Sequence, residues 1–474
     1  MTKRHRIAVI GGGISGLSCA WELSRSGADV VLIEAHERVG GLVRSGHTDG
    51  YLFEWGPNSF PSTATQIRSL AAEVGIEDRI VEASPDAKVR YIYFGRQLEP
   101  IPMGPGDLMK SRIFNLRQKL RIMMEPLVPK GDPEKPESVA HFVARRFGPA
   151  PARTIVDAFV SGVYAGDARK VGVRAAFPKL WEMEQDAGSL FKAMGRMRKE
   201  RKKSGGAPPT AMTLMSFREG MEELVHAVGE KLRGAGQLVL GRCVRSLTPR
   251  EGGGFTLGCE AVDGAVEEIE CDHIVSALAS SATGLLLADL QPMVADLLFE
   301  IEYAPVVVVH AGFSEEELPY LPKAFGFLSP RPSRLRSLGW LFSSRIFAGR
   351  APEGHHALTG FIGGATDPSI VEAPEEALRH LVLGELSMVL KMSRFPRPDL
   401  FRCVRQQGGL PQFDLGHHRR VAAVRTLLSD LPGVDITGNY LEGISLDECI
   451  RGGREAARRV LATSEAVSSR AEAS

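Results

Sequence analysis

Apolar residues in this chain come in short runs closed by glycine or proline. The run Ile7 to Ile10 is continuous and glycine-bounded, the pattern of a strand buried on both faces. After Gly11-Gly12-Gly13 the period changes to that of a helix over Ser15 to Ser26, and a second run, Val30 to Glu34, predicts another strand. From about 103 to 210 the pattern is mostly helical, and from about 237 to 277 it turns to strands (QLVLGRCVRSLTPR, FTLGCEAV and the buried run HIVSALA). Beyond 300, APVVVVHAGF, SLGWLFSS and ALTGFIGG read as strands and Pro374 to Lys391 as a helix. VDITGN predicts a last strand, followed by a glycine turn and a helix over Ser445 to Leu461. Pro and Gly punctuate the chain at 100–106, 126–136 and 204–209, and no internal repeat is present.

Two helical stretches carry unusual charge. Residues 108–124, LMKSRIFNLRQKLRIMM, predict one amphipathic helix with Ile113, Leu116, Leu120 and Met123 or Met124 on one side. Lys110, Arg112, Arg117, Lys119 and Arg121 make it basic, as for a helix lying on an anionic bilayer or packed on its own domain with a solvated face. The run MGRMRKERKK at 194–203 reads as a solvated, mobile linker.

Composition narrows the class. At 474 residues the chain is too long for one core, so two or three domains are expected. Lys plus Arg number 58 against 57 acids, a net charge of +1, which gives nucleic acid no footprint. Six cysteines are scattered without a CxxC, consistent with reduced thiols in a cytosolic compartment, and no zinc-spaced cluster suggests a metal. Neither a signal peptide nor 18 uninterrupted apolar residues is found. The protein is therefore expected in the cytoplasm, free or peripheral on the cytoplasmic face of the membrane.

The first turn carries chemistry. Gly11, Gly13 and Gly16 form G-x-G-x-x-G: one glycine for the tight turn, one for approach to a pyrophosphate, one for close helix packing. With 51 glycines in the chain, roughly 0.6 matches arise by chance, so the flanking strand, helix and second strand decide the reading. Glu34 closes that strand 18 residues after Gly16, where a carboxylate accepts ribose hydroxyls and disfavours a 2′-phosphate. NAD and FAD both remain open on this ground.

After Glu34 come Arg38-Val39-Gly40-Gly41 and Gly56-Pro57-Asn58-Ser59-Phe60. The order GxGxxG, acid, R-x-G-G resembles the FAD-binding amine-oxidase-like flavoproteins, which implies FAD. Further blocks resemble one branch, the oxygen-dependent protoporphyrinogen oxidases: VRYIYFGRQLEPIP at 89–102, FVSGVYAGDARKVGVRAAFPKL at 159–180, FGFLSP at 325–330, LPQFDLGH at 410–417 and GNYLEGISLDECI at 438–450. Together they span about residues 6 to 460.

The resemblance implies an α/β fold in which 1–65, 211–290 and 425–474 build a Rossmann-like FAD domain. Residues 66–102 and 291–424 would form a sheet-containing substrate domain, and 103–210 a helical insertion with the option of membrane docking. Gly11, Gly13, Gly16, Glu34, Arg38, Gly40, Gly41 and Gly56 match the FAD positions. Val244 matches the residue whose backbone meets the adenine, and Gly438, Gly443, Ile444 and Ser445 match the C-terminal flavin turn. Arg90 aligns with an arginine that binds a substrate propionate, Phe325, Leu328 and Leu341 with one wall of the tetrapyrrole site, and Phe159 and Gly162 with the opposite wall. Glu219, Ala279 and Asp447 depart from the usual glycine, proline and asparagine.

No catalytic side chain is expected, because the flavin carries the redox chemistry and the protein supplies orientation and water exclusion. The implied reaction is the six-electron oxidation of protoporphyrinogen IX by oxygen, with hydride transfer to flavin N5 in three cycles. The expected partners are thus a porphyrinogen and oxygen, with a membrane surface and a homodimer as open options and no nucleic acid. Rival readings are a coproporphyrinogen III oxidase, an amine oxidase or carotenoid desaturase on the same scaffold, and a non-catalytic FAD-binding scaffold protein.

Overall fold

A computed structural model of the chain describes residues 5–203, 212–441 and 443–472. Its fold is α/β. The N-terminal apolar runs lie in the middle of a five-stranded parallel sheet ordered Leu238–Val239, Asp29–Ile33, Arg6–Ile10, His273–Ser276, Val434–Ile436. Strand alternation explains why these runs are apolar throughout. Ile7, Val9, Val30 and Leu32 face helices Ile14–Arg25, Glu222–Gly234 and the C-terminal helix Leu446–Glu472. Ala8, Ile10, Val31 and Ile33 face an antiparallel three-stranded layer (242–271) and helix His417–Leu428.

A second sheet has seven strands, ordered Leu400–Pro411, Tyr303–Ser314, His355–Gly363, Ser337–Leu341, Gly326–Leu328, Arg90–Phe94, Gln97–Pro100. Only the pair Gly326–Leu328 and Arg90–Phe94 is parallel. One face, with Val307, Val309, Phe327, Trp340 and Leu358, is covered by helix Glu375–Leu390. The other carries Arg90, Ile92, Leu328, Leu341 and Val308, and turns toward the rest of the molecule.

The helical region between the sheets is held by a buried ionic knot. Arg146 and Glu125 are both 0 % exposed, and the Arg146 Nε–H donates to Glu125 Oε1 at 2.8 Å. Arg146 Nη1 also reaches Glu184 at 3.1 Å. Arg145 bridges Glu184 and Glu137 at 2.7 and 2.8 Å. Glu125 accepts the Leu190 N–H at 3.0 Å, so the knot starts helix Leu190–Lys203.

Two expectations are corrected. Residues 108–124 do not form one helix: Pro105–Lys110 and Leu116–Met123 are separated where Ile113 and Phe114 turn into the core, and Asn115 caps the second helix with Gln118. Ile113 is therefore buried, while Leu116, Leu120, Met123 and Met124 are exposed. The run 194–203 continues helix Leu190–Lys203 instead of forming a linker, because its start is anchored by Glu125. The Pro/Gly-rich boundary at 204–209 lies outside the described residues. The C-terminal helix also extends past Leu461, to Glu472.

Helix Ile14–Arg25 is packed without room for side chains at two points. A Cβ on Gly16 would overlap the Gly11 carbonyl and lie 3.0 Å from the Ala277 methyl. One on Gly453 would overlap the Ser15 carbonyl and lie 3.1 Å from the Cys19 nitrogen. Gly453→Ala is expected to cost about 1–3 kcal/mol in urea unfolding followed by tryptophan fluorescence. Gly195→Ala, a helix position with nothing within 4 Å of the added carbon, should stabilise by up to about 1 kcal/mol.

Candidate active site

Because the five strands run parallel, Ile10, Ile33, Ser276 and Ile436 all end on one edge of the sheet, where ligands of such sheets bind. Gly11 takes φ +104° there, and its N–H bonds the Ile33 carbonyl at 2.8 Å. At Gly13 an added Cβ would meet nothing within 4 Å: there is open space in front of helix Ile14–Arg25. That helix begins without a side-chain cap and without an acid in its first turn, leaving N–H groups and the positive dipole end for an anion.

The neighbouring loops are tied to the same edge. Glu34 accepts the Gly12 N–H at 2.6 Å and the His36 N–H at 2.9 Å. Gly40 donates to the Gly12 carbonyl at 2.7 Å, and a Cβ on Gly41 would stand 3.3 Å from Gly13 Cα. Arg38 turns back on its own loop, donating to the carbonyls of Val39 (3.0 Å) and Gly41 (2.9 Å), with Glu222 at 3.5 Å. Gly56 passes so close to the Leu42 carbonyl that no Cβ fits. Val244 is half-buried beyond Arg242, whose N–H bonds the Glu34 carbonyl at 3.0 Å.

The C-terminal turn arrives at this edge from the strand Val434–Ile436. A Cβ on Gly438 would lie 2.7 Å from the Tyr440 ring, and one on Gly443 would run into the Glu448 carboxylate. Ser445 donates to Glu448 at 2.7 Å and accepts its N–H at 3.3 Å, a reciprocal cap on the last helix. Ile444 packs on the cluster that contains Tyr164 and Phe413.

The three departures each find a setting. Asp447 accepts the N–H groups of Gln66 (2.8 Å) and Ile67 (3.1 Å), capping helix Thr65–Val74, which has no cap of its own. Ala279 holds φ −61°, the angle proline would impose, so the backbone keeps its course. Glu219 is an exposed residue 3.9 Å from Arg79.

Arg90, Phe325, Leu328 and Leu341 come together on adjoining strands. Gly326 pairs with both Arg90 and Leu341, and Leu328 pairs with Ile92 and Gly339. Phe325 donates its N–H to Val89 and accepts from Phe342, which sets its ring 5.1 Å from the Arg90 guanidinium. Helix Asp157–Tyr164 covers part of this face: a Cβ on Gly162 would stand 2.6 Å from Leu328 Cδ2. Leu328 thereby shares a core with Ile92 and Ala158. Phe159, in contrast, stays 44 % exposed, its ring 5.9 Å from Phe177.

Sequence reasoning missed a pocket beside Leu341 in which Glu54, Asn58, Arg350 and Thr359 stand among apolar Phe53 and Phe347. Glu54 is buried and accepts from Ser45 (2.6 Å) and the Met221 N–H (2.9 Å), with Arg350 at 3.9 Å. Burial pushes its carboxyl up to about 7 against those contacts. Arg350 donates to Ser216 at 2.8 Å, while its Nη1 is buried without a partner. His310 is buried on the adjoining strand, its Nδ1 3.2 Å from Thr359 Oγ1, and burial holds it neutral at about 3. The only signal in sequence was a polar residue inside each of the apolar runs YLFEW and VVVVHAGF.

The model of the flavin containing amine oxidoreductase family matches residues 14–461. The chain belongs to that family. It is 31 % identical over 468 residues to the chloroplastic protoporphyrinogen oxidase of Nicotiana tabacum, covering 95 % of this chain and 84 % of the relative. It is 27 % identical to the coproporphyrinogen III oxidase of Bacillus subtilis (strain 168), covering 96 % and 97 %. A solved structure from Exiguobacterium sp. 255-15, provisionally named a protoporphyrinogen oxidase, superposes with a TM-score of 0.81 at 24 % identity, covering 97 % of this chain and 99 % of that one. This flavin oxidoreductase is an enzyme whose cofactor is FAD. The open space at Gly13, the uncapped helix behind it and the carboxylate of Glu34 fit a dinucleotide.

Glu54 makes stability pH-dependent with a defined sign. Its ordinary value is 4.5 and its folded value about 7, so the folded state binds the extra proton between them. Stability should fall as pH rises from about 4.5 through about 7 and then level off. Glu54→Gln should flatten this part of the Tm profile; a variant whose slope matches the parent's would rule out Glu54 as the source.

Proposed function

We propose that this family member oxidises protoporphyrinogen IX to protoporphyrin IX, removing six electrons and forming three hydrogen peroxide from three oxygen. The carrying observation is Arg90 standing on the same sheet face as Leu328 and Leu341, with the Phe325 ring 5.1 Å from its guanidinium. A guanidinium forks onto a carboxylate through two charge-assisted bonds, fixing orientation as well as affinity. Across the neighbouring strands stand the half-buried Leu328 and Leu341, apolar side chains suited to a pyrrole ring plane and its vinyl groups. Bound FAD supplies the electron-accepting and oxygen-reducing chemistry. The chain's own part is to orient the macrocycle through Arg90 and Phe325 and to keep water from it with Leu328 and Leu341.

We also read the exposed Leu116, Leu120, Met123, Met124 and Leu127, beside Arg117 and Lys119, as a face that rests on an anionic bilayer in the cytoplasm. Among the described residues no helix is long and apolar enough to cross a membrane. Leu120→Glu with Met123→Glu should abolish co-sedimentation with phosphatidylglycerol vesicles and leave the flavin spectrum intact.

The reaction is tested by anaerobic mixing of the FAD-loaded protein with protoporphyrinogen IX and, separately, coproporphyrinogen III. Fast bleaching of the flavin band by the first alone, reversed by air, is the expected result; preference for the second would transfer the chain to the coproporphyrin branch. Arg90→Ala should raise KM about tenfold or more with an unchanged flavin spectrum.

A further inference from the structure

The segment Gln412-Phe413-Asp414-Leu415-Gly416-His417 belongs neither to the dinucleotide cradle nor to the sheet wall. It runs between the helical region and the 438–445 turn. On the helical side two hydrogen bonds hold it: the Gln412 side-chain amide donates to the Tyr164 carbonyl at 2.9 Å, and the Gly172 N–H donates to the Phe413 carbonyl at 2.8 Å. Asp414 accepts the Gly416 N–H at 3.0 Å, which sets His417 at the start of helix His417–Leu428.

His417 and Phe413 are each 1 % exposed and stack with centroids 4.2 Å apart and planes within 10°. The Phe413 ring also meets Tyr164 at 5.9 Å. On the other side, the imidazole faces the carbonyls of Tyr440 and Leu441, and Ile444 packs on the cluster that holds Phe413. Burial and Arg420 push the imidazole down to about 4, against Asp414, so it carries one N–H and one lone pair. Neither ring nitrogen has a hydrogen-bond partner of good geometry, an unusual state for a group so buried.

We propose that His417 is a positioning residue for the cofactor: stacked on Phe413, it completes a hydrogen bond to the Tyr440–Leu441 backbone when FAD is bound. It thereby sets the Gly443–Ser445 turn and couples it to helix Asp157–Tyr164. The inference rests on 438–445 being the flavin turn, and not on which porphyrinogen is oxidised.

The test uses FAD titration of deflavinated protein and the visible spectrum of the reloaded form. His417→Phe keeps the stack and loses the donor; it should weaken FAD binding about tenfold or more and shift the bound-flavin bands. His417→Gln keeps a donor and should recover most of that loss. Circular dichroism of each apoprotein reports folding, and if His417→Phe fails to fold, His417→Leu, which also lacks the donor, carries the test, parental FAD affinity with an unshifted spectrum overturning the proposal. Gly443→Val separates the two failures. If it leaves FAD binding untouched, the turn is misassigned and the proposal falls with it. If it disrupts binding while folded His417→Phe binds FAD with parental affinity and spectrum, the role of His417 alone is overturned.

Discussion

Everything in the nucleotide-binding half depends on backbone meeting backbone around helix Ile14–Arg25. At Gly16 the helix touches the turn that precedes it, and at Gly453 the C-terminal helix touches Ser15, both too closely for a methyl group. Two chain segments more than 400 residues apart in sequence are thereby pressed onto one helix. The consequence is geometric: strands Arg6–Ile10, His273–Ser276 and Val434–Ile436 finish on one edge, and that edge holds both the open space before Gly13 and the 438–445 turn. Side chains at either glycine would separate the layers that meet at this edge.

The second sheet works by division of faces. Trp340 and Phe327 go to the core under helix Glu375–Leu390, while their strand neighbours Leu341 and Leu328 go the other way. A slip of one residue would exchange the two sets. The register is locked on its buried side, where Trp340 lies over Gly360 with no room for a Cβ at that glycine. The arrangement of Arg90 and Phe325 on the open side is thus fixed by packing on the closed one.

What could be read in the chain was local. The cradle, the parallel-sheet runs and the helix from 375 to 390 follow from glycine spacing and hydrophobic period. The break between Lys110 and Leu116 was not legible, because Ile113 and Phe114 continue a helical pattern and leave it only to fill a core formed with Ile92 and Ala158. Helix Leu190–Lys203 was misread for a related reason: its first turn is satisfied by Glu125, 65 positions away. Glu54 and Arg350 acquire their neighbours only when the two halves of the molecule meet, and a sequence window holds no trace of that meeting. Among the site residues, Gly162 was placed by resemblance, and the structure adds that it is the methyl of Leu328 which a larger residue would displace.

The ionic knot of the helical region has a consequence for inheritance. Arg146, Glu125 and Glu184 satisfy one another in near-complete isolation from solvent, so the loss of any single member strands a charge at a cost of about 3–5 kcal/mol. Glu125 also accepts the Leu190 N–H and Glu184 also holds Arg145, so even an apolar trio would leave buried donors unmet, and every one-step route crosses that penalty. Among descendants of this gene the three positions should accordingly drift as a linked set or stand still, however freely the exposed residues of the same helices change.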